Sequence, residues 1–266
     1  MVKTLDIATT TIMQYLADLL LPFMRVSGLF ASMVGLSANS VPPTTRALLT
    51  LFLTLIIMPV IPPVPIPASE VFSVGTFMLV TQQLIIGIAL GFLSNIVLNT
   101  FVLAGEIVAL QTGLGFASIV DPVNGISVPA VGQFYLILAT LLYWALDGHL
   151  AMIRMVVMSF EAFPIGEGWF APEQFRDIAH WAGWMFISAI TISLAPIVSL
   201  LIVNLAFGVM TKAAPQLNIF SIGFAIAQIM GLLIIWLTLD NLPHHFEVMW
   251  ERAQNMMCQL VLVCPS

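Results

Sequence analysis

Charge is what this sequence has least of. Only 7 basic and 13 acidic residues occur among 266, or 8%, where about 25% is usual. A soluble fold of this size needs far more charged surface to stay dispersed, so a water-soluble enzyme is excluded. A disordered chain is excluded too, because 60% of the residues are hydrophobic and disorder goes with low hydrophobicity. The seven basic residues are spread along the chain and leave no footprint for phosphate backbones, which excludes nucleic-acid binding. The net charge of −6 says little about partners, since the acids are scattered as well. Cysteine is nearly missing: Cys258 and Cys264 stand near the end of the sequence, without Cys or His in metal-ligand spacing. A disulfide and a reactive thiol stay open for them, and incidental residues of a frayed tail are the preferred reading.

What is present is a succession of charge-free apolar windows: 26–45, 47–69, 71–105, 122–146, 178–211 and 213–239. A helix needs about 20 apolar residues to cross a hydrocarbon layer of ~30 Å. Six long hydrophobic helices fit, at 12–34, 45–61, 71–104, 128–146, 181–208 and 217–239. The fold class is therefore all-α, a polytopic membrane protein, since the alternating strands of a lipid-facing barrel are absent. The first segment reads as retained rather than as a cleaved signal peptide, because Asp18 and Arg25 interrupt it and no small-residue cleavage site follows. Pro42-Pro43 precedes the second helix, and Pro59, Pro62, Pro63, Pro65 and Pro67 end it in a stiff connector. Residues 147–180 form the most water-compatible stretch. With no repeat and no separate soluble domain, residues 1–266 read as one domain. Lys3, Arg154, Arg176 and Arg252 fall on one side against Arg46 and Lys212, a weak lean under the positive-inside rule. The 35-residue window 71–105 would be roughly 52 Å of helix. It must tilt strongly, bend into a hairpin or leave the lipid.

Two small-residue stripes invite close helix contact. Gly87, Gly91, Asn95 and Asn99 recur every four residues, and Gly223, Ala227 and Gly231 do the same beside Gln228. Each suits packing within the chain or contact with another subunit. Isolated charges at membrane depth are functional hypotheses by default. Glu106 and Asp121 flank a hydrophobic but glycine-rich stretch, 110–120, too glycine-rich to be read as helix. It suits a re-entrant loop or pore constriction, or else a plain turn between helices. Asp147-Gly148-His149 reads as a charged helix end with a glycine stop rather than a proton relay. His244-His245 lack metal partners, and no nucleophile elbow or phosphate-cradling loop exists. No catalytic residue, metal or cofactor is indicated.

Several motifs form a recognisable set. Gln82-Gln83-Leu84-Ile85-Ile86-Gly87-Ile88-Ala89-Leu90-Gly91-Phe92 is followed by Ala104-Gly105-Glu106, then by Leu110-Gln111-Thr112-Gly113-Leu114-Gly115-Phe116-Ala117 and Asp121-Pro122. Asp147-Gly148-His149-Leu150, Ala214-Pro215-Gln216-Leu217-Asn218-Ile219-Phe220 and Ile222-Gly223-Phe224 complete it. In this order and spacing the chain resembles the FliR family of flagellar biosynthetic proteins, components of the type III secretion export gate.

The resemblance implies a non-enzymatic, pore-forming subunit in a helical assembly with FliP-like and FliQ-like subunits. Such a gate docks with an FlhB-like switch protein and the flagellar rod base, and passes unfolded flagellar subunits out of the cytoplasm. It implies a bacterial inner membrane location in the flagellar basal body, with membrane lipid around it. It further implies a pore plug at Leu110, Gln111, Gly113, Leu114, Gly115, Phe116, Ala117, Ser118, Ile119, Val120, Asp121 and Pro122. Their apolar members suit a dry constriction. Glu106, Pro215, Gln216, Asn218 and Phe220 join the two stripes as helix-packing or subunit-interface positions. Lys212 stands where the family often has arginine, and Ala225 where many members have proline. A virulence-injectisome gate subunit is the alternative within the family. A secondary transporter is the alternative outside it, but Glu106 and Asp121 lack a cationic partner for that. Family members are also thought to sit partly raised out of the membrane, their greasy helices covered by partner subunits.

Overall fold

The computed structural model describes residues 2–36, 41–62, 73–116, 118–120, 127–166, 170–213 and 219–261. They hold eight α-helices: α1 (Val2–Ser32), α2 (Pro43–Ile57), α3 (Val74–Thr112), α4 (Ala130–Ala145), α5 (Gly148–Ala162), α6 (Pro172–Ala213), α7 (Ile219–Thr238) and α8 (Leu242–Val261). Between α3 and α4 lies one small antiparallel ladder, β1 (Ser118–Val120) with β2 (Ser127–Pro129), pairing Ile119 with Val128. The architecture is thus helical as expected, with this hairpin as the exception.

The expected six helices all appear, and the count grows because amphipathic helices escape a search for apolar windows. In α5 the buried residues Met152, Val156, Ser159 and Phe160 follow helical spacing while Arg154 and Glu161 are exposed. In α8, Phe246, Met249, Trp250, Ala253 and Met257 are buried on one side and His244, Glu247 and Glu251 are exposed on the other. Four stretches are long and apolar enough to cross a membrane, Pro43–Val60, Val74–Thr112, Pro172–Ala213 and Ala225–Val261, or five if α4 and α5 form one broken span. The chain is a polytopic helical membrane protein.

Local chemistry sets the ends. Pro43 opens α2 at a position where its missing N–H costs nothing. Pro172 opens α6 likewise, with Glu173 in the first turn and Lys212 in the last, both complementing the helix dipole. That start lies nine residues before the expected one. The 39 residues of α3 amount to roughly 58 Å of unbroken helix, so the hairpin option for that window is ruled out. The Asp147-Gly148-His149 motif is not a glycine stop. Asp147 itself takes the left-handed conformation (φ 54°), which a short polar side chain tolerates, and Gly148 begins α5.

Two compact units make up the chain. One comprises 1–95, 147–179 and 253–266, the other 96–146 and 180–252. The first has its core on α1 and α3, around Leu21, Leu29, Leu90 and Leu93. The second is centred on Phe101, Tyr143 and Phe246. There the Phe101 and Phe246 rings lie 5.6 Å apart, and Trp250 meets Tyr143 edge-on at 5.2 Å. Cys258 is disulfide-bonded, which corrects the reading of incidental thiols; Cys264 lies outside the described residues.

Candidate functional site

In the first unit the glycine stripe of α3 faces α1. A Cβ added to Gly87 would fall 2.0 Å from the Arg25 carbonyl oxygen, and one added to Gly91 would fall 2.1 Å from Ser32 Oγ. Gly28 answers from α1, where a Cβ would meet the Leu84 carbonyl oxygen at 2.5 Å. Backbones this close leave room for nothing but hydrogen, and polar side chains then bridge them. Ser32 Oγ donates to the carbonyls of Gly28 (2.8 Å) and Ile88 (3.1 Å). Asn95 donates to the Ser32 carbonyl. Asn99, the fourth member of the stripe, is exposed on α3.

In the second unit α3 is again the element others pack on. Gly105 approaches Gly132 of α4 so closely that a Cβ would sit 2.7 Å from its Cα. Glu106 is half-buried beside the same contact. Ser193 of α6 donates to the Ala104 carbonyl at 3.2 Å. Gly231 of α7 sits on Thr112, where an added Cβ would fall 2.3 Å from Cγ2.

Thr112 is also where the helix stops. Its buried Oγ1 donates to the Ala109 carbonyl (3.1 Å) and accepts from the Leu114 amide (3.4 Å). Gly113 follows at φ 74°, a left-handed helix ending that favours glycine. A 3₁₀ turn, Leu114–Phe116, leads into the β1–β2 hairpin, and Pro129 passes directly into α4. The described parts of the stretch after α3 are therefore a 3₁₀ turn and a short strand paired with the one that precedes α4. Leu110 and Gln111 are exposed at its root. A groove of about 380 Å³ opens there, between Gln111, Thr112 and Gly113 on one side and Phe207, Gly223 and Ala227 on the other.

Of the positions expected to matter, Ala117, Asp121, Pro122, Pro215, Gln216 and Asn218 lie outside the described residues. Phe116, Ser118, Ile119, Val120 and Phe220 are described by backbone only. Among the described residues no group of three or more His, Cys, Asp or Glu could hold a metal ion.

Sequence reading passed over one residue. Arg25 is fully buried, and its guanidinium donates to Gln83 Oε1 (2.7 Å), the Ser159 carbonyl (2.7 Å) and hydroxyl (3.1 Å), and the Phe163 carbonyl (2.7 Å). The signal was there: a lone cation inside an apolar run deserves the same suspicion as Glu106 and Asp121.

Close-packed glycine contacts between long apolar helices define a polytopic helical membrane protein. Comparison with known proteins narrows this. The chain belongs to the family "Bacterial export proteins, family 1", which it matches over residues 16–253. It is 32% identical to the flagellar biosynthetic protein FliR of Escherichia coli (strain K12) over 244 residues, covering 92% of each chain. It is 32% identical over 243 residues to FliR of Pectobacterium carotovorum subsp. carotovorum (90% of this chain, 92% of that one). The Bacillus subtilis (strain 168) FliR is 26% identical over 245 residues, 90% of this chain and 93% of that one. The chain is accordingly a membrane component of a bacterial export apparatus and not an enzyme.

Proposed function

We propose that this chain is a structural, pore-forming subunit of the flagellar type III protein export gate. It sits in the bacterial inner membrane at the flagellar basal body and acts as one export-gate domain. FliP-like and FliQ-like subunits are its neighbours in the assembly, with an FlhB-like switch protein and the rod base beyond. Unfolded flagellar proteins are the cargo. The segment Leu110–Pro122 closes the pore between export events. The observation that carries this reading is the built excursion at the end of α3. Thr112 and Gly113 terminate a 39-residue helix at one point, and the chain re-enters helix at Ala130 after a short hairpin. A segment held at both ends by helices, with small residues and apolar side chains between, can seal a narrow passage and be displaced without unfolding its supports. Partner subunits rather than lipid cover much of the exposed apolar surface in this reading.

The test shortens the loop between Leu110 and Pro122 in the assembled gate. We expect co-purification with FliP-like and FliQ-like subunits to persist and the membrane to leak small ions. Unchanged ion conductance with the complex intact would sink the plug assignment.

A further inference from the structure

Among the described residues every acceptor of the buried Arg25 guanidinium is neutral: an amide oxygen, a hydroxyl and two backbone carbonyls. A buried cation without a carboxylate is costly unless something else supplies negative potential. Here the supply is a helix end. The carbonyls of Ser159 and Phe163 belong to the last turn and the cap of α5, where the helix dipole gathers about half a negative elementary charge. The ring of Phe160 adds its face, 4.0 Å from the guanidinium carbon. Arg25, on α1, therefore caps α5 from outside, while its Nε ties the same group to Gln83 on α3.

The helix held this way is bounded by two unusual backbone points. Asp147 (φ 54°) precedes it, the one non-glycine with positive φ among the described residues, and Gly166 (φ 92°) follows it. We propose that Arg25 is a latch: it fastens α5 to α1 and α3, and α5 opens as a unit between these two points when the latch is released. This is a conformational device of the first unit and does not depend on the export-gate reading. The device also predicts a variant that tightens it. Gln83 Nε2 is buried with no hydrogen-bond partner among the described residues. Gln83→Glu removes that donor and gives the guanidinium a carboxylate where it now has an amide oxygen.

The test is amide hydrogen exchange by mass spectrometry on the full chain in detergent or nanodiscs. Arg25→Met is expected to speed exchange at least tenfold in peptides spanning residues 150–165. Peptides spanning 84–100 should stay within twofold of the wild type. Arg25→Lys should fall between, and Gln83→Glu should slow α5 exchange at least twofold. A uniform acceleration in Arg25→Met across both regions would make Arg25 an ordinary core residue and overturn the latch, as would unchanged exchange in α5. If Arg25→Met fails to fold, Gln83→Glu decides alone: slower α5 exchange supports the latch, and unchanged or faster exchange refutes it.

Discussion

Replacing Gly87 by alanine tests whether the α1–α3 contact is as close as described. The added Cβ would meet the Arg25 carbonyl oxygen at 2.0 Å and the Leu29 nitrogen at 2.8 Å, both backbone atoms that cannot rotate away. Reaching ordinary contact at 3.4 Å requires α1 to retreat by roughly 1.4 Å, more than the 0.5–1 Å gap that already forfeits a quarter to a half of a dispersion well. Overpacking typically costs about 1–3 kcal/mol, and a rigid backbone obstacle belongs at the top of that range. The bridges from Ser32 to Ile88 and from Asn95 to Ser32 would stretch beyond hydrogen-bonding range, at about 0.6 kcal/mol each. Alanine recovers about 1 kcal/mol of helix propensity. The net expectation is a loss of about 3 kcal/mol, or roughly 150-fold in the folding equilibrium. Equilibrium unfolding of the purified chain in mixed detergent micelles measures it. Gly208→Ala is the control, since a Cβ there meets nothing within 4 Å and should add about 0.5–1 kcal/mol. If Gly87→Ala is stabilised to the same extent as Gly208→Ala, propensity governs both sites and the close helix contact is wrong.

The root of the proposed plug gives a second expectation. Thr112→Val removes the acceptor of the Leu114 amide and should cost about 1 kcal/mol, read out as raised ion leak through the assembled gate with subunit co-purification intact. Gly231→Ala pushes on Thr112 from α7 at 2.3 Å and should raise leak in the same assay, whereas Gly183→Ala, with open space around it, should not. Ser193→Ala loses one interhelical hydrogen bond to Ala104 and should lower stability by about 0.6 kcal/mol in the same unfolding assay. At Asp147, Val is expected to cost about 1–2 kcal/mol because a β-branched side chain resists φ of 54°; Gly is expected to be neutral or mildly stabilising, and thermal unfolding distinguishes the two.

Hydrophobic windows located the greasy helices because a helix apolar all round leaves an unmistakable run. They missed what depends on periodicity or on single residues. In α5 the apolar stripe is interrupted by Arg154 and Glu161, so a count of charges reads it as water-compatible when it buries Met152, Val156 and Phe160. The stripe Gly87–Gly91–Asn95 was legible as a contact, but spacing alone does not say with what. The packing of Gly87 and Gly91 against α1 is not written in the local spacing, since the answering Gly28 and Ser32 lie about 60 residues away in sequence. Arg25 was legible as a lone cation in an apolar run, but its partners were not. Its partners are backbone carbonyls and an amide, which no motif search selects, and the helix end that balances its charge is 134 residues distant.

The scarcity of charge can now be attached to particular surfaces. Helix α6 has 42 residues, or roughly 63 Å, about twice a hydrocarbon layer. Its two halves differ. From Pro172 to His180 the exposed side chains include Glu173, Arg176 and Asp177, which belong in water. Farther on, Ile187, Ile190, Leu194, Val198, Leu201, Leu205 and Val209 are all exposed, and their spacing of three and four residues makes one continuous stripe. From Ile187 to Val209 that stripe runs roughly 33 Å, close to one hydrocarbon thickness. An apolar patch of that extent is not left in water. The central part of α3 is different: Leu90, Leu93, Val97, Phe101 and Ala104 are fully buried within the protein. High hydropathy therefore has two physical meanings here. In the middle of α3 it is core, and the length of that run does not measure what surrounds the protein. In α6 it is surface, and only there does the length of the apolar run measure what must cover it.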